Sequence, residues 1–131
     1  LKVYIMNIIK YISIYIMSIL YVYVGINHFI DTKSFLIIIP PYLQTIGLEI
    51  IYLSGIFEII LGILLIISKY RKIASYGIIL LLIAVYPANI YLAFNEEPQN
   101  LMGISSFMAS WVRLPLQFVF LGLAYWHSKD N

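Results

Sequence analysis

The sequence has no cysteine and few charged residues, and each shortage removes a class of function. Without cysteine the chain can form no disulfide, thiolate metal site or thiol–disulfide exchange centre. Charged side chains make up 11% of the 131 residues and hydrophobic ones 63%, whereas soluble domains average about 25% charged residues. The net charge of +2 is too small and too dispersed for a nucleic-acid-binding surface. The composition therefore indicates a protein of the lipid bilayer.

Four apolar runs are long enough to cross a bilayer, which takes about 20 mostly apolar residues in a helix. They cover residues 11–30, 47–68, 73–94 and 105–126. None alternates apolar with polar residues as barrel strands do, so the runs predict helices despite their many isoleucines. No A-x-A-like site follows the first run, which argues against a cleavable signal peptide. We predict one all-α domain over residues 1–131, a four-transmembrane-helix bundle.

The basic residues predict how these helices are oriented. The densest basic cluster, KYRK at 69–72, joins the second and third runs, and Lys2, Lys10 and Lys129 fall on the same side. Because short cytoplasmic loops carry an excess of Lys and Arg, we expect both termini in the cytoplasm. This pattern predicts a multi-pass protein, and we expect a bacterial inner membrane.

The segment FLIIIPPYL, residues 35–43, is apolar but too short to cross the membrane. Pro40 and Pro41 would end any helix within it. It therefore predicts a short external interfacial or re-entrant segment between helices 1 and 2.

Polar side chains from all four runs are predicted to lie between the bilayer midplane and its outer face. Counted at 1.5 Å per residue from the cytoplasmic ends, their depths range from about 14 to about 26 Å. Charged groups at mid-bilayer cost at least about 2.5–3.5 kcal/mol each, so they normally face the bundle interior and find partners. The residues of this layer are Asn27, His28, Glu58, Asn89, Arg113 and Gln117.

Glycine and proline residues lie close to this polar layer on the second, third and fourth helices. Gly55 and Gly62 share one side of the second helix with Glu58, so a neighbouring helix can approach closely beside the carboxylate. Pro87 breaks the hydrogen-bond ladder of the third helix, and Pro115 does the same in the fourth unless that helix begins just before it.

Two interpretations of the layer stay open. In the first, Glu58 and Arg113 form a structural ion pair, with Asn89 and Gln117 completing its hydrogen bonds. In the second, the same residues form a ligand site or a proton-handling site. His28 is interpreted as an anchor of the first helix near the lipid headgroups. No spacing of His or carboxylate residues predicts a metal site, and His28 and His127 fall near opposite ends, which argues against a haem.

Several motifs together resemble the DoxX family of small four-helix membrane proteins. They are VGINHF, LSGIFEIILGILLI, VYPANIYLA and VRLPLQFVFLGLAYW, and the likeness runs from about Val24 to Trp126. The family is named after a subunit associated with a quinone-linked thiosulfate oxidoreductase, and distant relatives act in membrane assembly or trafficking. The positions that carry the family pattern are Gly55, Glu58, Gly62, Pro87, Asn89, Arg113, Pro115 and Gln117. Cysteines of redox-associated relatives are absent.

The resemblance leaves two function hypotheses, and it implies no particular catalytic activity. The first is an accessory redox-associated subunit that binds a quinone or another lipophilic molecule. Arg113 and Gln117 would donate to a carbonyl, and Glu58 would handle the proton. The second is a non-enzymatic scaffold or assembly factor that meets a protein partner or a second copy of itself. Proton-coupled transport is disfavoured because no repeated broken helices are present.

Overall fold

The computed structural model describes residues 1–129, which form six α-helices and no strand. The helices are α1 (Lys2–Ile30), α2 (Thr32–Ile37), α3 (Gly47–Ile66), α4 (Arg71–Phe94), α5 (Glu96–Met102) and α6 (Arg113–His127). A 3₁₀ turn, Pro41–Ile46, leads into α3, and a π-helical segment, Met108–Val112, leads into α6. The predicted all-α four-helix bundle is confirmed.

Four helical stretches are long and apolar enough to span a membrane: Lys2–Ile30, Pro41–Ile66, Arg71–Phe94 and Met108–His127. The protein is therefore a multi-pass membrane protein. Helix α1 begins nine residues before the predicted span, because no glycine or proline interrupts the chain between Lys2 and Tyr11.

The long helices pack in the order α1, α3, α4 and α6, each against the next. Small residues let α1 and α3 approach closely: an added Cβ on Gly55 would lie 3.1 Å from the Gly25 carbonyl oxygen. The Ser18 hydroxyl donates a 2.5 Å hydrogen bond to the Gly62 carbonyl across the same contact. A buried apolar cluster fills the other half of the bundle with Ile14, Met17, Leu65, Ala74, Ile78, Leu82 and Ala124.

The segment between α1 and α3 folds back over one end of the bundle. Helix α2 ends at Ile37, and Pro40 and Pro41 start the 3₁₀ turn. The Gln44 side-chain amide donates to the carbonyl oxygens of Leu36 (3.2 Å) and Ile39 (2.6 Å), which ties the turn to α2. The segment predicted between the first two membrane-spanning helices, here α1 and α3, is therefore folded into a short helix and a turn.

The connection between α4 and α6 contains the short helix α5. Gln99 of α5 is buried, and its amide donates to the Leu92 and Ala93 carbonyls at 2.9 and 3.2 Å. Its Oε1 accepts a 2.7 Å hydrogen bond from the Ser106 hydroxyl. Ser105 then accepts from the backbone N–H of Met108 at 3.1 Å, the helix-capping role expected for a serine there.

Candidate functional site

A cavity of about 290 Å³ lies beneath the α2 segment, between α1, α3, α4 and α6. We call it the polar cavity, because five polar residues of the predicted layer line an otherwise largely apolar wall: His28, Glu58, Asn89, Arg113 and Gln117. Phe35, Ile39 and Leu43 cover it from the α2 side. Ala84 and Pro87 of α4 also line it and are themselves exposed, so the cavity opens sideways at membrane level.

His28 and Glu58 meet on the α1–α3 side of the polar cavity. The His28 Nδ1 lies 3.2 Å from Glu58 Oε2 and 2.7 Å from the Val24 carbonyl oxygen. One ring nitrogen carries at most one hydrogen, and the shorter contact to the carbonyl takes it. Glu58 Oε2 therefore makes no hydrogen bond. The imidazole also stacks on Phe35, with ring centroids 4.0 Å apart.

This geometry corrects the interpretation of His28 as an anchor at the lipid headgroups. The residue is only 6% exposed, and its ring lies between the carboxylate and Phe35. Gly55 makes this position possible, because a Cβ there would come within 2.8 Å of the His28 Cβ.

Arg113 and Asn89 meet on the α4–α6 side of the same cavity. The Arg113 Nη2 donates a 3.1 Å hydrogen bond to Asn89 Oδ1. The expected ion pair between Glu58 and Arg113 is wrong: among residues 1–129 each has a different partner. The reason is helix adjacency, since α6 packs against α4 whereas Glu58 faces α1.

Three buried polar atoms around the polar cavity have no hydrogen-bond partner: Glu58 Oε2, Arg113 Nε and Gln117 Oε1. Five such side-chain atoms occur in the described part of the chain, so most of them converge here. Leaving a buried polar group unpaired costs about 1–3 kcal/mol, and more if it is charged. The three unpaired atoms, one donor and two acceptors, thus belong to residues of the cavity wall.

Comparison with known families places the chain in one of them. The sequence model of the family described as "Domain of unknown function (DUF8561)" matches residues 17–128. The protein belongs to this family. No curated protein and no solved structure matches it. The matched DUF8561 region contains every residue that lines the polar cavity.

Not every residue of the predicted layer reaches the polar cavity. Asn27 is half-buried on a different face of α1, and it is absent from the cavity wall. Pro115 does not start its helix: the helical stretch runs from Met108 to His127 without a break, and the proline lies inside it, just after the π-helical segment Met108–Val112. Gly62 lies at the α1–α3 contact, beside Ser18 and Val22. Pro87 does line the cavity.

The cavity also has wall residues that the sequence did not single out. Tyr21, Phe35 and Ser54 are the polar or aromatic ones. Tyr21 precedes His28 by seven residues, or two helical turns, so helical periodicity could have placed it on the same face. No comparable signal exists for Phe35, because its position depends on how α2 folds back.

The two histidines lie in different places. His28 lines the polar cavity, and His127 lines a second pocket at the other end of the bundle. Within residues 1–129, no three His, Asp or Glu side chains come close enough together to hold a metal ion.

Proposed function

We propose that this membrane protein binds a lipophilic molecule with a quinone-type head in the polar cavity and serves as an accessory redox-associated subunit. The observation that carries the proposal is that three residues with an unpaired buried polar atom line one largely apolar cavity. Ligand sites of membrane and soluble proteins share this design of apolar walls and few oriented polar groups. The sideways opening beside Ala84 and Pro87 supports entry from the bilayer.

The unpaired atoms could form hydrogen bonds with both the oxidised and the reduced form of the head group, the quinone and the quinol. The Arg113 Nε–H would donate to a carbonyl oxygen of the quinone. Glu58 Oε2 and Gln117 Oε1 are acceptors, and they would receive a hydroxyl hydrogen of the quinol. The neighbouring Glu58 carboxyl and His28 imidazole can each hold a proton, 3.2 Å apart, where that hydroxyl forms.

A non-enzymatic scaffold or assembly factor is the competing function. In a scaffold the polar layer would serve only helix packing, so its groups should satisfy one another. The unpaired atoms of Glu58, Arg113 and Gln117 argue against that role.

The proposal includes kinship with DoxX proteins and a bacterial inner-membrane location with both termini in the cytoplasm. The motif residues Glu58, Asn89, Arg113 and Gln117, from three different helices, all line one cavity, which supports the kinship. The positive-inside rule supports the orientation, since the basic residues gather at the end of the bundle where Lys10, Arg71 and Lys129 line one pocket.

Binding of a decyl-substituted benzoquinol, kept reduced, to the purified protein tests the proposal, with decylbenzene as the probe that lacks both oxygens. We expect saturable binding of the quinol alone. Glu58→Gln should weaken its binding about tenfold, because the carboxylate that would accept the hydroxyl hydrogen is replaced by an amide. Glu49→Gln is the matched control, because this exposed acid lies on the same helix away from the cavity.

Two results would contradict binding of the quinol in the polar cavity. One is equal uptake of both probes, which means partition into the detergent rather than recognition of the head. The other is equal affinity of the Glu58→Gln and Glu49→Gln variants. Either result, together with loss of folded protein on Glu58→Gln, would favour the scaffold.

A further inference from the structure

A second pocket, of about 200 Å³, lies at the end of the bundle opposite the polar cavity. Its wall is almost entirely polar and carries four cationic side chains, Lys10, Arg71, Lys72 and Lys129, together with Tyr11, Ser68, His127 and Ser128. We call it the basic pocket. No acidic side chain of residues 1–129 lines it.

Two buried residues build the basic pocket. Lys10 is 4% exposed, and its ammonium donates a 2.5 Å hydrogen bond to the Lys129 carbonyl oxygen, which ties α1 to the chain after α6. His127 is 1% exposed, and its Nε2 lies 2.8 Å from the Ser13 hydroxyl oxygen. The other ring nitrogen of His127, Nδ1, is buried without a hydrogen-bond partner.

Arg71 completes the wall from the α3–α4 connection. Its Nε and Nη2 donate to the Leu65 and Ile66 carbonyl oxygens, both at 2.9 Å, at the end of α3. Its guanidinium also lies over the Tyr11 ring, 5.3 Å from the centroid. These contacts hold the cation in place beside His127, so the pocket is more than a set of mobile surface lysines.

The position of the basic pocket matches a membrane surface. Lys10 and His28 lie on the same helix, eighteen residues apart. At 1.5 Å per residue this places the two pockets about 27 Å apart along the bundle, close to the roughly 30 Å thickness of the hydrocarbon layer. Basic residues at this level also set orientation, but orientation requires neither a pocket nor a buried histidine.

We propose that the basic pocket binds a phosphate group, that of an anionic lipid headgroup. Arg71, Lys72 and Lys129 supply positive charge to the phosphate, as in basic pockets between membrane helices that hold anionic lipids. When the Ser13 hydroxyl donates to Nε2 of His127, Nδ1 carries the ring hydrogen and donates it to a phosphate oxygen. The unpaired Nδ1 thereby gains a partner.

The test measures the thermal unfolding midpoint of the full chain in a maltoside detergent, which carries no phosphate. The added probes are short-chain phosphatidylglycerol, short-chain phosphatidylcholine and inorganic phosphate. The variant Lys72→Gln/Lys129→Gln removes two exposed cations of the basic pocket. The variant Lys2→Gln/Lys33→Gln removes two exposed cations elsewhere, so both have the same net charge.

We expect phosphatidylglycerol to raise the midpoint of the wild-type chain and of the Lys2→Gln/Lys33→Gln control. The Lys72→Gln/Lys129→Gln variant should need about thirtyfold more of this lipid, from the contribution of about 1 kcal/mol per basic residue near an anionic headgroup. If inorganic phosphate has the same effect at similar concentration, the ligand is a soluble phosphate compound and the lipid assignment is wrong. Equal responses of the two double variants, or no response of the wild type, would overturn the site itself.

Discussion

The Nη2 of Arg113 donates a 3.1 Å hydrogen bond to Oδ1 of Asn89, and this contact joins α6 to α4 at the polar cavity. It makes Asn89, rather than Glu58, the partner of the one charged residue in α6. Another donor of this guanidinium, Nε, is buried and unpaired. Arg113 therefore connects two helices through Nη2 and still has a donor, Nε, without a hydrogen-bond acceptor.

The first prediction concerns this contact. The replacements Asn89→Leu and Arg113→Leu should each lower the free energy of unfolding, and the double variant should lose less than the sum. We expect a coupling of about 0.5–2 kcal/mol, the range found for interhelical hydrogen bonds in membranes. Unfolding in mixed micelles measures it. The same cycle with Glu58→Leu and Arg113→Leu should be additive within about 0.5 kcal/mol, and strong coupling there would restore the discarded ion pair.

The second prediction concerns the close contact of α1 and α3. Gly55→Ala should destabilise the protein by about 1–3 kcal/mol, because its Cβ would lie 2.8 Å from the His28 Cβ. Gly122→Ala is the matched control, since nothing lies within 4 Å of a Cβ at that position. Thermal unfolding of both variants checks the prediction. A Gly55→Ala variant as stable as the control would mean that the helices are further apart.

The third prediction separates a ligand role from a packing role at Gln117. Its Oε1 has no hydrogen-bond partner, so Gln117→Leu should leave the stability unchanged or slightly higher. The same variant should weaken binding of the benzoquinol probe several-fold, because Oε1 would accept a hydroxyl hydrogen of the quinol. Unfolding midpoints and binding curves of one preparation provide both readouts. A large loss of stability with unchanged binding would assign Gln117 to packing.

The fourth prediction concerns Gln99. Its replacement by leucine should lower the stability and leave probe binding unchanged, the opposite of the result expected for Gln117→Leu. Gln99→Leu removes the donor to the Leu92 and Ala93 carbonyls and the acceptor of the Ser106 hydroxyl. We expect a loss of about 2–4 kcal/mol in stability, because buried groups lose their partners. Binding by the protein that stays folded should be unchanged. The exposed neighbour Asn100, replaced by leucine, is the control.

The fifth prediction concerns orientation, and the absence of cysteine makes it simple to test. Single replacements Lys69→Cys and Glu97→Cys place a thiol on either side of the proposed membrane. In intact bacterial cells, a membrane-impermeant maleimide should label Glu97→Cys, and Lys69→Cys only after the cells are opened. The reverse pattern would invert the proposed topology.

Several features of the site were predictable because they depend on local sequence. Glu58, Asn89, Arg113 and Gln117 could be placed in one layer by counting residues along each helix, and all four line one cavity. Their partners could not be predicted, because depth does not specify which helices are neighbours. His28 was misinterpreted for the same reason: its burial depends on α2 folding back to bring Phe35 over the ring.

The number of membrane-spanning helices followed from the sequence alone, since hydropathy and helix-breaking residues act over one segment at a time. The tertiary structure decided that Glu58 meets His28 and that Arg113 meets Asn89, because the order of packing brings α3 against α1 and α6 against α4. It also decided that unpaired polar atoms are left over at two pockets. Whether a buried polar atom has a partner depends on residues from several helices at once, and no single segment of the chain contains that information.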